Sequence, residues 1–261
     1  MGHGAVLRLA AACLVGLTAT ACTAGAPAVT PPSLANQTPG VGTVFDKPIP
    51  STIVHLPLVD QAGHRVTLAS MVGKTVVVAD FLTLCQEVCP LTSANLAQVQ
   101  AAVADAGLSN QVEILEVTVD PRRDTPDRLA AYQKLFGSPP HWSFVTGSPE
   151  RIDRFWKALG VGYERTGEPS DQPRPRDWLT GEPLTYDVSH QDVVIIVAPD
   201  GHERWLVAGT PSVSSTRNLP PTLNGFLNDE GRSNLASTST GSWTPRDVEQ
   251  ALSFVTGRPV G

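Results

Sequence analysis

Thr75-Val-Val-Val-Ala-Asp-Phe-Leu-Thr-Leu84, running straight into Cys85-Gln-Glu-Val-Cys89-Pro90, is the stretch on which the fold turns. Its first ten residues are apolar and continuous enough for a central strand buried on both faces. Pro90 suits the first turn of a helix, because its φ is already helical and no N–H is needed there. A buried strand therefore ends at Leu84, a loop carries two cysteines, and a helix follows. Cys89 then lies beside the helix N-terminus, where unpaired amides and the positive dipole end are expected to lower its thiol pKa. Thiolate is the form that binds metal or attacks a disulfide, and both roles are open at this point.

The Cys-x-x-x-Cys spacing sets the two sulfurs one helical turn apart, so they can close on each other or converge on one metal ion. Structural zinc usually takes four protein ligands, and no second cysteine pair exists in the mature chain, which is expected to lose Cys13 with its signal. Two soft thiolates and one imidazole suit copper instead, above all Cu(I). A plain structural disulfide is the simpler alternative. Its weakness is the position of the pair, at a strand-to-helix junction.

Outward from this stretch the chain alternates. Ile53 to Val59 and Val66 to Leu68 flank Asp60-Gln-Ala-Gly63 and predict a hairpin. A helix is expected from Pro90 to about Ala106, with Gly107 to stop it, and a strand over Val112–Val119. Thr125-Pro126-Asp127 opens a further helix, Trp142–Val145 is a short strand, and another helix follows near Pro149 to Leu159. The second half adds Asp192–Ala198 and Glu203–Val207 around the tight turn Pro199-Asp200-Gly201, then a helix capped by Thr244-Pro245-Arg246-Asp247. This order predicts an α/β, thioredoxin-like three-layer sandwich with an N-terminal hairpin extension, occupying residues 51–261. Residues 167–183, proline-rich and charged, and 210–242, rich in Ser, Thr and Asn, are expected to be loop insertions.

The N-terminus has the features of an export signal. Arg8 precedes the apolar run Leu9–Leu17, too short for a bilayer span of about 20 residues. Ala19-Thr20-Ala21-Cys22 resembles a bacterial lipobox, with Ala19 where leucine or valine is more usual. Residues 1–21 are thus expected to be a lipoprotein signal peptide, Cys22 the lipidated (palmitate-bearing) first residue, and 22–50 a flexible tether rich in Ala, Pro, Thr and Gly. Ordinary cleavage that leaves Cys22 as a bystander is the alternative. Either way the protein is exported, and lipidation would place it on the extracytoplasmic face of a bacterial cell membrane. Removing residues 1–21 takes away Arg8 and no acid, so the formal charge goes from −6 to −7. That balance argues against nucleic acid as a partner.

Ligands of such sheets gather at the carboxyl ends of the parallel strands. Cys85 and Asp120 each follow a strand of that kind, while His190 precedes a strand expected to run the other way, so its start lies at the same rim. Cys85, Cys89, His190 and Asp120 can therefore converge although scattered in sequence. His55, His64, His141 and His202 fall in hairpins, loops or strand edges, where a solvated imidazole is the ordinary case. His190 has a plain reading too, as a polar residue capping a strand. Asp120-Pro121 can simply begin a turn and Asp124 support the next helix N-terminus.

Taken together, Phe81 and Thr83 before Cys85-x-x-x-Cys89-Pro90, then Val119-Asp120-Pro121-Arg122-Arg123-Asp124-Thr125-Pro126, then Ser189-His190 ahead of an apolar strand and Asp200-Gly201, resemble the Sco/SenC family. The resemblance covers roughly Val44 to Val207 and the last helix. It implies that Cys85, Cys89 and His190 hold one copper ion, as Cu(I) or Cu(II), with Asp120, and Asp124 beside it, in supporting positions. It also implies a copper chaperone acting on the cytochrome c oxidase subunit that carries the dinuclear copper site, with other extracytoplasmic copper carriers as further partners. The long insertion, and Gln86-Glu87 where a Pro-Asp pair is frequent, depart from the family pattern. A thiol–disulfide oxidoreductase using Cys85 and Cys89 as a redox dithiol is the alternative function. A peroxiredoxin-like peroxidase fits less well, since no Pro-x-x-x-Thr-x-x-Cys run precedes Cys85.

Overall fold

The computed structural model describes Met1 and residues 38–167, 174–213, 218–236 and 242–261. The expected signal after Met1, Cys22 and the tether as far as residue 37 lie outside the described residues. In chain order the elements are β1 (Thr43–Pro48), α1 (Ser51–Val54), β2 (Leu58–Asp60), β3 (Arg65–Val66), β4 (Thr75–Phe81), α2 (Cys89–Asp105), β5 (Val112–Thr118), α3 (Pro126–Leu135), β6 (Trp142–Thr146) and α4 (Pro149–Leu159). They continue with β7 (Tyr163–Arg165), β8 (Val188–His190), β9 (Val193–Val197), β10 (His202–Ala208), α5 (Pro221–Phe226), α6 (Asp229–Ala236) and α7 (Pro245–Thr256). Among them no helix is long and apolar enough to cross a membrane.

Eight strands form one sheet in the order β1-β10-β9-β4-β5-β6-β2-β3. Strands β4, β5 and β6 are parallel, and β9 runs antiparallel to β4. Every residue of β4 and of β9 is buried, as their unbroken apolar character requires of strands covered on both faces. This βαβ unit followed by an antiparallel hairpin and a closing helix is the thioredoxin-like arrangement. Helices α2, α3 and α7 share one face. Ser93 of α2 meets the Tyr132 hydroxyl of α3 at 3.2 Å, and α7 packs on α2. On the other face, Lys47 of β1 reaches the Ala158 carbonyl of α4.

Strict alternation along β4, β5 and β6 puts Phe81, Glu116, Trp142 and Phe144 on the α2–α3 face. There Phe81, Tyr132, Phe136, Trp142, Phe144 and Trp178 stack as tilted and edge-on pairs with ring centroids 5.3 to 6.1 Å apart. The starts of α3 and α7 follow their expected signals. Thr125 accepts from the Arg128 N–H ahead of Pro126, Thr244 and Asp247 form a capping box, and Gly160 takes the left-handed φ of 79° that closes α4.

Three expectations need correction. Residues 43–48, assigned to the tether, form β1 on the β10 edge, because an edge strand is held by main-chain pairing and needs no apolar period. The N-terminal hairpin is shorter than expected. Asp60 Oδ1 accepts the Ala62 and His64 N–H at 2.9 and 2.8 Å and makes the turn, but Ser51–Val54 is helical and Leu68–Met71 a 3-10 turn. The hairpin pairs through β2 with β6, at the edge opposite β1. Finally, 210–242 is not a plain loop, for it holds α5 and α6; Leu223 and Phe226 are buried and Asn228 caps α6 through the Gly231 N–H.

Candidate metal centre

The loop after β4 is fixed before it presents any sulfur. Thr83 donates its hydroxyl to Asp124 at 2.5 Å and its N–H to the same carboxylate at 3.2 Å, and Thr118 Oγ1 donates to Asp124 at 2.5 Å. The Thr83 carbonyl accepts the Trp178 indole N–H at 2.7 Å. Trp178 lies in a strap, residues 174–184, which Asp177 pins to α3 through both nitrogens of Arg128, at 3.0 and 2.5 Å. Behind Cys85 the insertion closes in. Gln86 Nε2 donates to the Phe226 carbonyl at 2.9 Å, the Asn228 N–H to the Gln86 carbonyl at 3.1 Å, and Asn228 Nδ2 to Glu87 at 3.0 Å.

Cys85 Sγ accepts the N–H groups of Val88 and Cys89 at 3.5 and 3.4 Å. The opening amides of α2 therefore serve Cys85, while Cys89, expected to be the acidic thiol, is itself the first residue of the helix. The Cys85 thiol is held well below the ordinary range: the hydrogen bond with Cys89 is the main cause, burial opposes it, and His190 and the Cys89 N–H add to it. Burial pushes the Cys89 thiol well up, and its bond to Cys85 keeps the proton there. The helix N-terminus acts as the sequence suggests, but on the neighbouring sulfur.

His190 closes the group. Its Nε2 stands 3.3 Å from Cys89 Sγ, and one ligand atom from each of Cys85, Cys89 and His190 lies within 4.8 Å of the others. The imidazole is 4% exposed, and its Nδ1 faces Asp80 Oδ2 at 2.8 Å and Asp192 Oδ1 at 3.3 Å. Burial alone would lower the imidazole pKa, but the Asp80 bond, Cys85 and Asp192 together raise it well above the usual value. Burial pushes Asp192 up to about 7. Neither aspartate was among the site residues expected from the sequence. Asp80 had a visible signal, being the one charged residue in the run 75–84.

Asp120 and Asp124 stand outside the three-residue group. Asp120 is paired with Arg123 and accepts the Tyr186 hydroxyl at 2.8 Å, while guanidinium groups of Arg123 and Arg165 stack on the Tyr186 ring at 3.8 and 3.9 Å. Asp124 serves the metal loop from behind, through Thr83, and burial pushes its carboxyl up to about 6.

A family model described as SCO1/SenC matches residues 50–215. A Stutzerimonas stutzeri chain described as a candidate copper-binding protein is 27% identical over 199 residues, which are 75% of this chain and 90% of that one. The mitochondrial SCO1 homolog of Homo sapiens is 28% identical over 144 residues, 55% of this chain and 43% of that one, so the match spans less than half of the human protein. Among solved structures, copper-bound Arabidopsis thaliana ScoI is similar with a TM-score of 0.48 and 25% identity, over 64% of this chain and 88% of that one.

Proposed function

The chain belongs to the SCO1/SenC family, and from that membership and the meeting of Cys85, Cys89 and His190 we propose a membrane-anchored carrier of one copper ion. Its cargo serves assembly of the dinuclear copper centre of cytochrome c oxidase, with the oxidase subunit bearing that centre as recipient and other extracytoplasmic carriers as sources. The observation that carries this reading is the group of two sulfurs and one imidazole nitrogen within 4.8 Å, the one such group among the described residues. Bonds of about 2.0 to 2.3 Å from one ion to such donors require them to stand within roughly 4.6 Å of one another. A side-chain adjustment of a few tenths of an ångström meets that limit. Two thiolates and a neutral imidazole match the preferences of copper, and Cu(I) in particular.

The residues divide the work. Cys85 is prepared as thiolate, whereas Cys89 and His190 Nε2 give up protons as the ion enters, so uptake releases protons and weakens as pH falls. A three-donor site leaves one side open to a recipient's thiols. The same asymmetry, one acidic and one proton-retaining thiol, favours a second reading as a thiol–disulfide oxidoreductase that reduces the recipient's cysteines. Replacing Cys85, Cys89 and His190 singly by alanine separates the two in cells lacking the protein. A carrier needs all three at low copper, so His190→Ala fails to restore oxidase activity although its dithiol still cycles; full restoration by that variant overturns the carrier reading in favour of the reductase.

A further inference from the structure

We infer that Asp80 is the positioning residue of the site: it keeps a hydrogen on His190 Nδ1 and thereby leaves Nε2 as the nitrogen offered to the ion. The inference rests on the copper reading above. Asp80 is 2% exposed, at the penultimate position of β4 before the cysteine loop, and both its oxygens are committed. Oδ2 faces His190 Nδ1 at 2.8 Å, and Oδ1 accepts the Val193 N–H of β9 at 2.6 Å. One carboxylate thus joins the strand that leads to the sulfurs with the segment that carries the imidazole. Because it only accepts, the hydrogen between it and the ring belongs to Nδ1, and Nε2 is the atom 3.3 Å from Cys89 Sγ.

Asparagine at this position reverses that arrangement with no change of shape. The Val193 N–H requires an acceptor, so the amide oxygen of Asp80→Asn stays on Val193 and its NH2 faces Nδ1. Nδ1 then accepts, the ring hydrogen moves to Nε2, and the ligand atom is blocked. Asp192 offers a contrast, since its Oδ1 is farther from Nδ1, at 3.3 Å, and its side chain is 19% exposed. Asp192→Asn leaves Nδ1 donating its hydrogen to Asp80.

The test uses reduced, full-chain protein titrated with Cu(I) against a chromophoric chelator, together with nitrogen NMR of the histidine rings in the Cu(I)-loaded state. Wild-type protein is expected to show His190 with Nδ1 protonated and Nε2 bound. Asp80→Asn is expected to bind Cu(I) roughly 10- to 100-fold more weakly, as outer carboxylate partners of ligating histidines do when lost, with His190→Ala at least as weak and Asp192→Asn, which gives up only the longer contact, weakened less than Asp80→Asn. Weak binding by His190→Ala with unchanged binding by Asp80→Asn overturns the role of Asp80 and leaves the copper reading standing. Wild-type affinity in His190→Ala overturns the ligand reading itself. A loaded wild-type ring bound through Nδ1 overturns the inference whether or not any variant folds.

Discussion

Glu116 is fully buried on β5, where its carboxylate accepts the Ser93 hydroxyl at 2.7 Å and the Trp142 indole N–H at 3.0 Å. Burial lifts its pKa from 4.5 to about 8. A folded-state value above the unfolded one means that native protein holds a proton which unfolded chains have lost between those two pH values. This contribution is complete below the lower value and is lost as pH rises toward the upper, at up to about 1.4 kcal/mol per pH unit. Glu116→Gln keeps the shape and removes the titration, and Ser93 can turn its hydroxyl to Tyr132 and accept from the new amide. Urea unfolding at pH 5.5 and 7.5 is therefore expected to show wild-type protein losing stability with pH and the variant losing markedly less. Equal slopes would place the pH dependence elsewhere. At this scale the sequence was informative wherever residue type alone decides chemistry, as for Cys85, Cys89 and His190. It misled where a dipole had to be aimed: the thiol next to the helix start was identified, but which sulfur the amides touch depends on loop geometry that spacing does not fix. Asp80 stood out as the one acid inside an apolar strand, but its role has no meaning until its partner across the sheet is known.

Helices with strong end signals were legible in the chain: α4, expected near Pro149 to Leu159, spans Pro149–Leu159. Among the elements that escaped, β1, α5 and α6 depend on partners distant in sequence. Helix α6 shows why. Gly231 passes so close to the Gln86 main chain that a Cβ there would overlap the Gln86 carbonyl oxygen, and Asn228 bridges to both Gln86 and Glu87. A glycine in a polar, serine-rich stretch reads as loop. Its packing role exists only against the cysteine loop. Gly231→Ala must push α6 away from that loop, at a cost of about 1 to 3 kcal/mol, and amide exchange at residues 85–89 is expected to quicken. Gly225→Ala, with open space around its Cβ, serves as the control and is expected to leave exchange unchanged. Similar exchange in the two variants would show that α6 does not brace the metal loop.

Across the molecule, the proposed ligands come from two segments a hundred residues apart, and what joins them is the antiparallel β9 set against the parallel pair β4 and β5. Alternating strand and helix patterns made that order legible; the strap 174–184 and the insertion, which hold the cysteine loop from two sides, had no pattern to reveal them. Membrane attachment is a property of the whole chain. The proposed role needs the carrier kept near its recipient, which a lipid at Cys22 would do. Mature protein is expected to fractionate with membranes and Cys22→Ala to be released or left unprocessed. Normal processing with full membrane retention of that variant would remove the anchor from the proposal. Finally, the bond from the Trp178 indole to the Thr83 carbonyl gives this protein an optical property. Four other tryptophans are sealed in the core, whereas Trp178 is half-buried and tied to the main chain two residues before Cys85. Trp178 is therefore expected to report on the dithiol: emission that changes when Cys85 and Cys89 are oxidised or loaded with Cu(I) should be lost in Trp178→Phe, a readout that needs no dye or label.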